Sequence, residues 1–148
     1  MVIDMTRRTA TTSNRPGSRR TEVLPEGWAC DGPAVPATRV DQPRRWLFTG
    51  AVGPLDEHGQ VLHELDVTAQ VALTVENLQC VLGAADMGLA DVLRVAISTV
   101  DLPAMSAEVD LLGERFAEEG ARPALTLVGV AALPFPGALL VLDAVAAA

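Results

Sequence analysis

From residue 66 onward the spacing of apolar side chains changes period from one segment to the next, and this restricts the chain to an α+β architecture. Val67, Val71, Val75, Leu78, Leu82 and Ala85 fall at helical spacing across residues 66–86, with Asp66 placed to cap the first turn. Val92–Val100 then switches to period two, setting Leu93, Val95 and Ile97 against Arg94, Ala96 and Ser98, which is the pattern of a strand. A second helix is predicted from Pro103, aligning Met105, Val109, Leu112 and Phe116 and ending at Gly120. Two Val- and Leu-rich strands follow, Ala124–Leu133 and Leu139–Val145, separated by Pro134-Phe135-Pro136-Gly137. No helix crosses such a connection, and a hairpin is the expected pairing. Upstream, Trp46–Gly50 reads as a short strand, and Gly53-Pro54 with Asp56-Glu57-His58-Gly59 as turns.

The last two strands lack clean alternation: Leu125, Leu127 and Leu133 share one face while Val128 and Val130 take the other. Both faces of the sheet therefore need cover. Two helices cover one face, which leaves the other to a second copy of the chain and predicts an oligomer.

Residues 1–25 are rich in Thr, Ser and Arg without hydrophobic periodicity, and composition assigns them to a disordered tail ahead of a folded domain over 26–148. Arg7-Arg8 is followed by no apolar export region, so a cytoplasmic protein is expected. The longest apolar stretches are far shorter than the roughly 18–20 residues that span a bilayer, and no membrane association is expected.

The chain carries a net charge of −8, and all eleven basic residues are Arg. Residues 46–148 hold three Arg against fourteen acids, a net −11 that repels phosphate backbones. Nucleic-acid partners are therefore not expected. With neither Lys nor Tyr in the chain, Schiff-base lysine and tyrosine acid–base chemistry are absent. His58 and His63, near Asp56, Glu57 and Glu64, match no ligand spacing, so neither metal nor cofactor is expected. Cys80, on the first helix beside Val81 and Leu82, is read as a buried thiol, and Cys30 lacks the positioned His of a nucleophile.

Thr49-Gly50, Gln70, Asn77-Leu78, Asp91-Val92, Val109, Phe116, the run Pro123-Ala124 to Val128-Gly129-Val130-Ala131-Ala132-Leu133, and Ala144-Val145-Ala146 together resemble the RidA/YjgF family over residues 32–147. The resemblance implies a chorismate-mutase-like α+β fold: a small mixed sheet with two helices on one face, assembled as a homotrimer with ligand clefts between subunits. It also implies hydrolysis of enamine and imine intermediates, with an Arg clamping the substrate carboxylate and a Glu positioning water.

This chain departs from that pattern where the chemistry sits. Leu125 stands at the Arg position, Leu127 at a position often Cys, Val141 at the Glu position, and Ala34 follows Gly32-Pro33 where the family has Tyr. An aliphatic side chain forms no bidentate pair with a carboxylate, so ordinary amino-acid-derived imines are poor expected substrates. Arg122 lies three residues before Leu125 and is directed by strand parity to the other face.

The expected ligand pocket is Gly50, Ala51, Leu125, Thr126, Leu127 and Val141, with backbone N–H groups as oxyanion donors. Asp143 is the candidate catalytic carboxylate, although a hydrogen-bonded structural role is favoured for it. Two readings follow: an enzyme with an apolar cleft acting on an imine, enamine or reactive carbonyl of a specialised biosynthetic pathway, or a non-catalytic trimer that binds a small molecule or a partner protein. RNA cleavage ranks below both.

Overall fold

Strand β5 (Val92–Thr99) organises the molecule, because each of its edges receives a different neighbour. The structure is a computed structural model and describes residues 8–14, 19–29, 32 and 34–148. Its remaining elements in chain order are β1 (Arg8–Asn14), β2 (Arg19–Pro25), β3 (Ala37–Asp41), β4 (Trp46–Phe48), α1 (Val67–Ala84), α2 (Leu102–Glu118), β6 (Ala124–Gly129) and β7 (Leu140–Ala147). Strands β4, β7, β5 and β6 form one sheet in that order, and β1, β2 and β3 form a second.

The helices begin where capping chemistry places them. Asp66 accepts the Ala69 N–H at 3.0 Å and Asp101 that of Ala104 at 3.1 Å, so each satisfies a donor left open by the first turn. Pro103 lies in the first turn of α2, and Gly120, at φ +73°, takes the left-handed conformation just beyond its end. Val71, Val75, Leu78 and Leu82 of α1 and Met105, Leu112 and Phe116 of α2 are buried against Val95, Ile97, Leu140, Leu142 and Ala144. One sheet face thus meets both helices, as the mixed α+β reading expects.

The expected hairpin between the last two strands does not form. β6 runs parallel to β5, with Val95 opposite Leu125 and Ile97 opposite Leu127. β7 lies antiparallel on the other edge of β5, with Ala96 opposite Asp143 and Ser98 opposite Val141. The physical reason is connectivity: a strand–helix–strand crossover through α2 delivers β6 parallel to β5. The connection after β6 then carries the chain across to the free edge of β5.

The leader also differs from its compositional reading. Residues 8–14 and 19–25, within the segment expected to be a disordered tail, are strands in antiparallel register, Arg8 opposite Pro25 through Asn14 opposite Arg19. β2 pairs in turn with β3, Arg19 opposite Asp41 through Val23 opposite Ala37. Thr and Val are strand-favouring residues even in a polar segment, and β3 offers an edge on which they pair. This sheet joins the body where the Thr38 hydroxyl donates to the Leu93 carbonyl at 2.8 Å, and where Val35 bridges Ala124.

Among the described residues no helix is long and apolar enough to cross a membrane. Cys80, expected in the core, is exposed on α1, and Cys30 lies outside the described residues.

Candidate functional site

The sheet face turned away from the helices carries most of the chemistry-bearing residues. Register puts Arg94, Ala96 and Ser98 of β5 on it, flanked by Thr126 and Val128 of β6 and by Val141, Asp143 and Val145 of β7. Trp46 and Phe48 of β4 stack at its edge with ring centroids 6.2 Å apart, both exposed. Asp143 and Thr126 flank the small Ala96, and Arg94 Nη1 stands 3.5 Å from Asp143 Oδ1 with both side chains about half exposed.

The sequence-predicted pocket residues are divided by this geometry. Leu125 and Leu127 point to the helix side, half-buried and packed against the core, because they pair with the fully buried Val95 and Ile97. Thr126, Val141 and Asp143 lie on the opposite face. Val141 is only 7% exposed. A methyl group on Gly53 would stand 3.2 Å from the Phe135 ring and 3.4 Å from a Val141 methyl, so these three residues form one apolar contact.

Gly50 and Ala51 sit in a bulge alongside β7. The Thr49 N–H donates to the Ala144 carbonyl at 3.0 Å, its hydroxyl accepts the Ala144 N–H at 2.9 Å, and Val52 exchanges both backbone bonds with Leu142. Gly50 and Ala51 between them are exposed, and their N–H groups make no backbone bond. The bulge therefore presents two donors opposite Asp143, the kind of group that stabilises a developing oxyanion.

Two α1 side chains fix the loops around this edge. Gln70 is fully buried; its Nε2 donates to the carbonyls of Leu62, His63 and Gly137 at 3.0–3.2 Å, and its Oε1 accepts the Leu139 N–H at 2.7 Å. Asn77 Nδ2 donates to the carbonyls of Gly53 and Leu55 at 2.9 Å. Sequence reasoning placed both on α1, but not as clamps, because their acceptors lie in loops far along the chain. It also passed over Arg94, whose partner Asp143 becomes a neighbour only through the β5–β7 register.

Arg122 is engaged elsewhere: it donates to the Gly32 carbonyl at 2.7 Å and pairs with Glu22 at 3.5 Å. Arg20 of β2 is 7% exposed, donates from Nη1 to the Ala90 carbonyl at 3.3 Å, and leaves Nε and Nη2 without partners. Burial lowers its pKa from the ordinary arginine value, against the opposing pull of Glu22 and Asp91. Among the described residues no three His, Cys, Asp or Glu side chains gather as a metal site.

Comparison with known proteins places this architecture. Residues 33–148 match the family described as Endoribonuclease L-PSP. The chain belongs to the RidA/YjgF family. It is 34% identical over 125 residues to the 3-aminoacrylate deaminase RutC of Acinetobacter baylyi, covering 84% of this chain and 94% of that one. Among solved structures, the Rid-family protein YyfB of Yersinia pestis aligns with a TM-score of 0.73 at 28% identity, over 87% of this chain and 98% of its own. A putative endoribonuclease of Thermotoga maritima aligns with a TM-score of 0.62 at 26% identity, over 80% and 88%. The family's mixed sheet with two helices on one face is the fold described above.

Proposed function

We propose that this protein acts on reactive imine or enamine intermediates in a cleft between copies of the chain, and that the cleft takes less charged substrates than the family's carboxylate-bearing ones. The observation carrying this reading is Leu125, at the family's Arg position, half-buried against the core within a chain 34% identical to an aminoacrylate deaminase. Without a guanidinium there, a substrate carboxylate loses roughly 2–5 kcal/mol of binding. In this reading Leu125 and Leu127, on the helix side of the edge strand β6, supply apolar wall from one copy, and the bulge at Gly50 and Ala51 of a neighbouring copy supplies donors for the polarised nitrogen or oxygen. The cleft of this reading is completed only between copies, and a homotrimer is the assembly that the family resemblance supports.

Asp143 lies on β7 beside the bulge, and its carboxylate is 3.5 Å from the Arg94 guanidinium. The exposed Arg94–Asp143 pair is a structural element in this reading, and Asp143→Asn is the control that separates it from a general base.

The test measures imine decay in matched pairs: imines made in situ by an amine oxidase from amines that lack a carboxylate, and carboxylate-bearing imines made by an amino-acid oxidase. The expected result is acceleration of the carboxylate-free series and little effect on the carboxylate series, with Leu125→Arg gaining activity on the latter. Acceleration of the carboxylate series by the native chain would overturn the apolar-cleft reading. No acceleration of either would overturn the enzyme reading and leave the non-catalytic binder, which the loss of Arg and Glu at positions 125 and 141 also favours.

A further inference from the structure

Val141 and Asp143 project from the same face of β7, yet the Asp143 side chain is about half exposed and Val141 is nearly buried. The loop ahead of β7 makes the difference. A methyl group added to Gly53 would stand 3.2 Å from Phe135 Cδ2 and 3.4 Å from Val141 Cγ1, so the ring lies across the Gly53 backbone and covers the valine. Gly53 itself is buried and has no positive φ, so its missing side chain supplies room for the ring and not a special conformation.

The half-buried ring is held in place through its backbone. Pro136 and Gly137, the latter at φ +88°, occupy the second and third positions of a turn closed by the Ala138 N–H on the Phe135 carbonyl at 3.1 Å, the residue order of a type II turn. Pro136 also restricts the backbone of Phe135 directly before it. The buried Gln70 amide anchors the far side of this turn, on the Gly137 carbonyl at 3.0 Å and the Leu139 N–H at 2.7 Å. Asn77 Nδ2 holds the Gly53 carbonyl at 2.9 Å. Both sides of the contact are thus fixed by α1, and the ring forms a wall of set position. That wall stands a short way from the candidate donors. Thr49 and Val52 bond to Ala144 and Leu142, which sets the Gly50–Ala51 bulge beside Asp143, two residues along β7 from Val141. Two residues of strand span roughly 6.6–6.8 Å, and van der Waals contact with the wall takes about 3.5–4.0 Å of that, leaving about 3 Å. With C–C bonds of about 1.5 Å, this is room for about two carbons.

We propose that Phe135 is a specificity-determining residue of this site: its ring closes the Val141 end of the cleft, which then takes short-chain imines or enamines with about two carbons beyond the polarised C=N group. This rests on the imine reading above and deepens it. Leu125 removes the partner of a substrate carboxylate, and Phe135 limits the length of the apolar group that stands in its place.

The experiment measures kcat/KM for decay of the imines that an amine oxidase makes from propylamine and from hexylamine, with the native chain, Phe135→Ala and the milder Phe135→Leu. Both imines are read on the same preparation, so any loss of folded protein cancels from their ratio. The native chain is expected to favour the propylamine imine by at least about tenfold, since a single methylene misfitted in an apolar pocket already changes kcat/KM by that much. Phe135→Ala is expected to bring the ratio to about one or below by admitting the longer chain, with Phe135→Leu between the two. A residue that only packs the fold would lower both values together and leave their ratio unmoved. An unchanged ratio in Phe135→Ala, or a native chain that takes both imines equally, would overturn the assignment while leaving the imine reading intact. No acceleration of either imine by the native chain would overturn that reading and this assignment with it.

Discussion

A buried guanidinium is tolerated when acceptors surround it, and Arg20 has one where its donors call for several: Nη1 reaches the Ala90 carbonyl, while Nε and Nη2 have no partner. Its charge is drawn toward Glu22 and Asp91, but Glu22 pairs with Arg122, and Asp91 accepts the Gly88 N–H at 2.9 Å. Desolvation of an incompletely bonded charge outweighs its Coulombic gain. Arg20→Met, similar in length and free of charge, is therefore expected to raise stability by about 1–3 kcal/mol, read as a higher denaturant midpoint with unchanged slope. A lower midpoint would show that the acidic neighbours do stabilise this cation. Leu65 offers a second test at this scale. Replacing it with Gly removes its left-handed strain and gives up no buried surface, so Leu65→Gly is expected to leave the melting temperature unchanged or raise it by a few degrees.

At the scale of elements, the loops of the candidate site depend on helix α1 through Gln70 and Asn77 more than on their own sequences. Gln70→Leu keeps the volume and removes four hydrogen bonds, leaving three carbonyls and the Leu139 N–H to find water. An orphaned buried group costs about 1–3 kcal/mol, so thermal unfolding of Gln70→Leu should fall by at least about 2 kcal/mol. Hydrogen exchange in this variant should rise first at residues 62–65 and 137–139, because that amide is what joins them. These dependencies also explain what the sequence made legible. Val71, Val75, Leu78 and Leu82 declare α1 because helical period is local, and Val95 and Ile97 declare β5 for the same reason. The pairing of β6 with β7 was misread because two apolar strands around a Pro-Gly turn look alike whether they pair or are parted by a third strand. The β1–β2 pairing was missed because Thr-rich segments without an apolar face carry no periodic signal. Within the site, Leu125 and Val141 could be placed by resemblance, whereas Arg94 acquires meaning only from the β5–β7 register that brings Asp143 beside it.

For the whole molecule, the proposed assembly places the open sheet face where copies meet. It presents the exposed Trp46–Phe48 stack and Val128, and its charged pair, Arg94 with Asp143, is internally neutral. The body as a whole is strongly acidic, with net −11 over residues 46–148. In the proposed assembly copies therefore repel at long range and attract through this face, a combination that salt favours by screening. If that face is the trimer interface, Phe48→Asp acts at its edge: the ring is 70% exposed in the single chain, so the substitution spares the monomer core. In the assembly it removes roughly 2 kcal/mol of apolar burial and adds a desolvated carboxylate. Half-assembly is expected to need at least about tenfold more protein, since each 1.4 kcal/mol is a factor of ten. Sedimentation equilibrium should show three copies for the native chain and a shift toward one for Phe48→Asp, with unchanged far-UV circular dichroism and tighter native assembly at higher salt. If Phe48→Asp retains the native mass at every concentration, the open face is not where copies meet, and the cleft must then be completed along the outer edge of β6, where Leu125 and Leu127 remain half-buried.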